Sequence, residues 1–271
     1  MVMTDPSMAI GASTTDMGYY LELLHEMFNS DVMNVNFIGT RQSLGSLLPD
    51  GTMREKVMGE GRSGWRAKSY FCPDGTLDGK NSYPNPFYET TKTAFALDAF
   101  NFSKYMQEQG FSSCDAVLFA LGGNANVTTE QGKIDCKTYY DAIIASMKAY
   151  NPNIKIGIFM YQGGYMRYKW RAQINQTQAL HKCIIDWYEG RENENLYIIP
   201  VGLNFDPIYD FSCQIKEVKC QYFDKNNKKA TEYVIGHEVL VEDAIHPPVE
   251  TGCRKMAVVC YSWLKYIGSL L

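Results

Sequence analysis

The chain has 271 residues, 45% of them hydrophobic and 21% charged, with a net charge of −4. That balance belongs to a folded domain rather than a disordered chain. The 26 Lys and Arg residues form no long basic block of the kind that grips nucleic acid. No stretch approaches the roughly 18 uninterrupted apolar residues of a membrane span, and Met-Val-Met-Thr-Asp-Pro lacks the regions of a signal peptide, so no membrane partner is expected and the compartment stays unassigned.

In chain order, the first element is a short, weakly apolar strand over Met8–Gly11. Tyr19, Leu21, Leu23, Leu24 and Phe28 then give an amphipathic helix from about Gly18 to Asn29. Val35–Gly39 reads as a buried strand. Residues Leu48–Lys92, rich in Gly, Pro, Asn, Tyr and Lys, show no period and read as an irregular insertion. Ala116–Leu121 is a second strong strand. Tyr139, Ile143, Ile144, Met147 and Tyr150 mark a helix ended by Asn151-Pro152. Ile154–Tyr161 is the next strand, the stripe Leu180, Cys183, Ile184, Trp187 and Tyr188 the next helix, and Leu196–Val201 the last core strand. Around Asp224-Lys-Asn-Asn-Lys-Lys229, the segment Cys213–Val241 reads as a hairpin. A final helix runs from about Gly252 to Ile267.

Strands alternating with helices over short links imply parallel pairing with helices on both faces. The expected fold is α/β, a three-layer α/β/α sandwich with a five-stranded parallel sheet in one domain, 1–271. Its ligand site belongs at the carboxyl ends of the strands. The short lead before the first strand, with Pro6 inside it, favours a piece of a longer protein with an upstream domain. Eight cysteines form no C-x-x-C pair. Cys114, Cys183 and Cys260 fall in apolar patterns and read as buried thiols, whereas Cys213 and Cys220 could bridge the hairpin in an oxidising compartment.

The chemistry concentrates in Asp243-Ala-Ile-His246, followed by Pro247-Pro248. A carboxylate three residues before an imidazole can hold Nδ1–H, which leaves Nε2 free as a base. Ser13, just after the first strand, is the candidate nucleophile, and a serine hydroxyl needs such a base to become reactive. Asn124, at the end of Leu121-Gly-Gly-Asn124, offers an uncharged donor to an oxyanion. Taken singly, each signal has a plainer reading: a helix N-cap for Ser13, a helix start for Asp243, a turn for Gly122-Gly123.

Gly11-Ala-Ser13-Thr-Thr-Asp-Met-Gly18 resembles the first block of the SGNH (GDSL-type) hydrolases. Gly61-Arg-Ser-Gly64-Trp65 is similar to the second block, Gly122-Gly-Asn124 to the third and Asp243-Ala-Ile-His246 to the fifth. The order is the family's and spans nearly the whole chain. The resemblance implies a flavodoxin-like SGNH fold and a triad of Ser13, Asp243 and His246. It also implies an oxyanion hole from the N–H groups of Ser13 and Gly64 and the Asn124 amide. It implies hydrolysis of short acyl esters, acetyl esters of carbohydrate foremost, without metal or organic cofactor. Two positions depart from the family pattern: Ala12 and Ala125 stand where it has aspartates, neither of which carries the proton-transfer steps.

Aromatic residues suited to stacking on sugars flank these blocks. Trp65, Tyr165 and Arg167 are the candidate substrate contacts. Two other readings stay open: a catalytically silent glycan-binding module on the same fold, and a nucleotide-binding protein using the Gly122-Gly123 turn, which lacks the G-x-G-x-x-G spacing.

Overall fold

A computed structural model describes residues 6–33, 35–75, 82–122, 124–162, 171–206, 210–211, 213–223, 229–241 and 246–269. The first strand, β1 (Pro6–Gly11), is fully buried after its opening proline and lies at the centre of the sheet. Helices α1 (Ser13–Met17) and α2 (Tyr19–Ser30) follow it, then strands β2 (Asn36–Ile38), β3 (Arg41–Gln42) and β4 (Met58–Gly61). Helix α3 (Phe102–Glu108) precedes β5 (Ala116–Ala120), and α4 (Glu130–Tyr150) precedes β6 (Lys155–Phe159). Helix α5 (Arg171–Tyr188) and β7 (Leu196–Ile199) continue the alternation, followed by the long strands β8 (Cys213–Phe223) and β9 (Lys229–Val241). Helix α6 (Arg254–Gly268) comes last.

The sheet runs in the order β3-β4-β1-β5-β6-β7, and β2 pairs with the first half of β1 on the edge whose second half takes β4. All pairs are parallel except β3 with β4. All five expected strands form, and β3 and β4 bring the described sheet to seven. The addition comes from Met58-Gly-Glu-Gly61, which has no apolar run and buries Glu60 by pairing rather than by hydrophobicity.

Strand alternation divides the core between the two faces. Met8, Ile10, Val117, Phe119, Ile156 and Ile158 pack on the face covered by α3, α4 and α5. Ala9, Leu118, Ala120, Phe159 and Ile199 pack on the other, under α2 and α6. The segment 48–92 is less irregular than its composition suggests. It supplies β4 and a 3-10 turn over Ala67–Phe71, and its rings Trp65, Tyr70, Phe71, Phe87 and Tyr88 complete the first core.

The expected hairpin forms as β8 and β9. Cys213 and Cys220 stand opposite Val241 and Val234 on one strand, about 23 Å apart at ~3.3 Å per residue. A disulfide needs Cα atoms within about 7 Å, so the two cannot bridge the hairpin. Cys114, Cys183 and Cys260 are buried and unpaired, as expected. Among the described residues, no helix is long and apolar enough to cross a membrane.

Candidate active site

Three neighbouring strands end level at one rim. Gly11 of β1 pairs with Gly61 of β4 on one side and with Ala120 of β5 on the other. Ser13 follows two residues after Gly11, Gly64 three after Gly61, and Asn124 four after Ala120. The topology therefore gathers three of the expected site residues, with Ser13 in the middle.

Two glycines let the first helix settle onto this rim. A Cβ at Gly11 would stand 2.1 Å from Thr15 Oγ1 and 2.9 Å from the Ala120 carbonyl oxygen. A Cβ at Gly61 would stand 2.0 Å from the Asp16 backbone nitrogen. Ser13 opens α1, and the turn closes through Asp16 N–H to the Ala12 carbonyl at 2.9 Å.

His246 reaches this serine from the far end of the chain. Its Nε2 lies 2.9 Å from Ser13 Oγ, across 233 residues of sequence. With Nδ1 protonated, Nε2 accepts the serine O–H. The two prolines after His246 anchor its backbone: Pro247 is buried, its carbonyl accepts the Cys253 thiol at 3.2 Å, and Pro248 accepts Cys253 N–H at 3.0 Å as the chain turns into α6.

The second block forms a turn closed by Trp65 N–H to the Arg62 carbonyl at 3.1 Å. Gly64 sits in it at φ 81°, the left-handed value that a type II turn requires at its third position. The exposed Asn124 donates its Nδ2 to the Trp65 carbonyl at 3.1 Å, joining the third block to the second. Beneath, Tyr140 O–H donates to the Leu121 carbonyl at 2.5 Å, and Gln176 donates to the Ala125 carbonyl.

A link that sequence reasoning missed joins the helix that Ser13 opens to this turn. Asp16, three residues after Ser13, accepts Ser63 Oγ–H through Oδ2 and Arg41 Nε through Oδ1, each at 2.7 Å. Its side chain is only 12% exposed. The acidic residue was visible in Gly-Ala-Ser-Thr-Thr-Asp, but nothing in the spacing pairs it with a serine 47 positions on.

Behind the turn, the Arg62 guanidinium lies 2.8 Å from Glu60, both buried, and Tyr105 O–H donates to the same carboxylate at 2.6 Å. Burial and the Glu60 charge together push the Tyr105 phenol far above its ordinary range. On the β6 side, Thr14 Oγ1 bonds to Tyr161 O–H and receives the Gln162 amide at 3.4 Å. Burial pushes the Tyr161 phenol up.

The remaining expected residues fall elsewhere. Trp65 is corrected from substrate contact to core: its ring is 1% exposed and packs edge-on against Tyr70, since the 3-10 turn after it folds inward. Only its carbonyl serves the site. Asp243, Tyr165 and Arg167 lie outside the described residues, as does Gly123. Ala12 and Ala125 are both buried.

No family model matches the chain, and no curated protein matches it in sequence. Solved structures do. A carbohydrate esterase of family 3 from Talaromyces cellulolyticus aligns over 100% of both chains with 16% identity and a TM-score of 0.60. An acetyl esterase, a serine-to-alanine mutant with an acetate ion, aligns over 99% of both at 16% and 0.57. The chain has the SGNH hydrolase fold. A lipase/acylhydrolase from Enterococcus faecalis shares this SGNH architecture over 97% of both chains, at 11% identity and a TM-score of 0.52. These neighbours include carbohydrate esterases and acylhydrolases, so the fold carries ester hydrolysis among them.

Proposed function

We propose that the chain is a serine carboxylic-ester hydrolase that removes short acyl groups, acetyl foremost, from carbohydrate. The observation that carries the reading is the 2.9 Å contact between Ser13 Oγ and His246 Nε2 at the carboxyl rim of the sheet. The choice of acyl group and alcohol leans on the neighbours, one a family 3 carbohydrate esterase and one an acetyl esterase with acetate.

In this mechanism His246 takes the Ser13 proton as Oγ attacks the ester carbonyl carbon. The tetrahedral oxyanion is held by the N–H groups of Ser13 and Gly64 and by the Asn124 amide, each such donor contributing about 3 kcal/mol. Collapse breaks the bond to the alcohol, which leaves with the proton from His246. Water, deprotonated by the same imidazole, then attacks the acyl-serine and releases the carboxylic acid. Asp243 is assigned to the Nδ1–H of His246, and Tyr165 and Arg167 to the substrate.

The test is hydrolysis of p-nitrophenyl acetate by wild type, Ser13→Ala and His246→Ala, with acyl length varied next. Either substitution is expected to remove about 1,000-fold or more of kcat. Full activity in Ser13→Ala would sink the mechanism. An inert wild type that binds acetylated sugars would make the chain a silent glycan-binding module.

A further inference from the structure

The strands β8 and β9 form a two-stranded sheet of their own, apart from the central one. Among the described residues neither has a second strand beside it, so each presents one row of unpaired N–H and C=O groups. A ribbon of two strands is marginally stable by itself, and further strands or a packed face are what secure it. The free edge of β8 is 11 residues long, about 36 Å at ~3.3 Å per residue.

The middle of this edge carries opposite charges. Glu217 and Lys219 stand two residues apart and so share one face of the ribbon. Both are exposed, and neither makes an ion pair or hydrogen bond among the described residues. Val218, between them, is the midpoint of Cys213–Phe223. An antiparallel copy of β8 centred on Val218 therefore pairs the strand over its whole length. In that register Glu217 of each chain stands directly opposite Lys219 of the other, and the two-fold symmetry makes the pair twice. A slide of two residues one way would set Glu217 against Glu217, and the other way Lys219 against Lys219. The edge of β9 has no such match. Paired with itself over Lys229–Val241 it would be centred on Ile235 and would set Glu232 opposite Glu238 twice. The charges thus favour the β8 edge and one register along it.

We propose that β8 is a self-association surface, through which two copies of this chain pair β8 with β8, antiparallel and centred on Val218. The product is a four-stranded sheet in the order β9-β8-β8-β9. Main-chain hydrogen bonds join the copies, and the two Glu217–Lys219 pairs fix the register. The pairing uses up the β8 edge, so assembly closes at two chains. It does not depend on the chemistry at Ser13.

The experiment is sedimentation equilibrium of the full chain at low salt, over about 1 to 100 μM. Wild type is expected to be dimeric by about 50 μM, in the range of weak self-association. Glu217→Lys and Lys219→Glu each turn both ion pairs into like-charge contacts, so each alone should weaken association about tenfold or more. An equimolar mixture of the two variants restores both opposite-charge pairs across a mixed dimer, and it should associate about as tightly as wild type. Both side chains are exposed and unpaired in the single chain, so each variant should keep the wild-type far-UV circular dichroism. Wild type that stays monomeric over the whole range would overturn the proposal. So would a dimer that neither substitution weakens, an assembly larger than two, or a mixture of the variants that stays monomeric.

Discussion

Asp16→Ala separates the support of the oxyanion turn from the chemistry of the triad. The substitution deletes two charge-assisted hydrogen bonds, to Ser63 Oγ and Arg41 Nε, each 2.7 Å long. The Arg41 side chain is 35% exposed and Ser63 is half-buried, so water replaces the lost partner at both. The stability lost is therefore about 1–2 kcal/mol, below the cost of stranding a fully buried group. The effect on rate is larger in proportion. Ser63 precedes Gly64, whose N–H is assigned to the oxyanion, and complete loss of one such donor costs about 3 kcal/mol, or roughly 100-fold in kcat. A turn that is loosened rather than removed should forfeit about half of that free energy, roughly tenfold in kcat, with KM nearly unchanged because the oxyanion exists only in the transition state. Asp16→Asn keeps an acceptor for Ser63 and loses only the charge that Arg41 sees, so it should retain most of kcat. The assay is steady-state hydrolysis of p-nitrophenyl acetate beside urea unfolding. A wild-type kcat in Asp16→Ala would refute the coupling, and so would equal losses of kcat in the Ala and Asn variants.

Gly61→Ala places a methyl group 2.0 Å from the Asp16 nitrogen and 2.3 Å from the Thr15 carbonyl carbon, and since both are backbone, α1 must lift. Unfolding should show a loss of about 1–3 kcal/mol, with activity falling further than the folded fraction does. Glu22 is buried and accepts Gly45 N–H, Ser46 N–H and Ser46 Oγ–H at 2.9, 2.8 and 2.6 Å. Glu22→Ala should cost about 2–3 kcal/mol by urea titration, and a smaller loss than its Gln counterpart would contradict the accounting. Burial, followed by the neighbouring Lys155 charge, pulls the Lys148 ammonium from 10.5 to about 8. The unfolded chain holds that proton between these values and the folded one does not, so the penalty is full below about pH 8 and fades toward 10.5. Wild type should gain stability relative to Lys148→Met between about pH 8 and 10.5, and a flat difference would remove the shift.

The parts of this fold written in local composition were legible. The runs Ala116–Leu121 and Ile154–Tyr161 are apolar because both sheet faces are covered, and that continuity reads as a buried parallel strand. Met58-Gly-Glu-Gly61 was hidden because its burial is electrostatic: Glu60 goes inside with Arg62 and Tyr105, a pairing no window of sequence contains. Helix α3 was hidden because only Phe102, Tyr105 and Met106 mark its buried side. Trp65 misled in the opposite sense, since an aromatic in a Gly-rich segment serves core and ligand equally well on paper. At the rim, the contact between Ser13 and His246 was legible because a serine paired with a histidine is a combination of residue types that the sequence itself displays. Asp16 with Ser63 was not, because a positioning contact constrains only distance.

The two alanines gain their meaning from that contact. Ala12 and Ala125 are buried at positions where the related pattern has aspartates. A carboxylate at either would need donors inside the fold, since a charge taken out of water without partners is costly. Two residues on from Ala12, Thr14 is bonded to Tyr161 and receives the Gln162 amide N–H. This chain instead sets its carboxylate at Asp16, at the edge of solvent and beside Arg41, and uses it to tie α1 to the Ser63–Gly64 turn. The rim is thereby braced without a buried unpaired charge. The 2.9 Å contact between Ser13 and His246 forms with alanine at both positions, so aspartates there are not needed to bring these two side chains together.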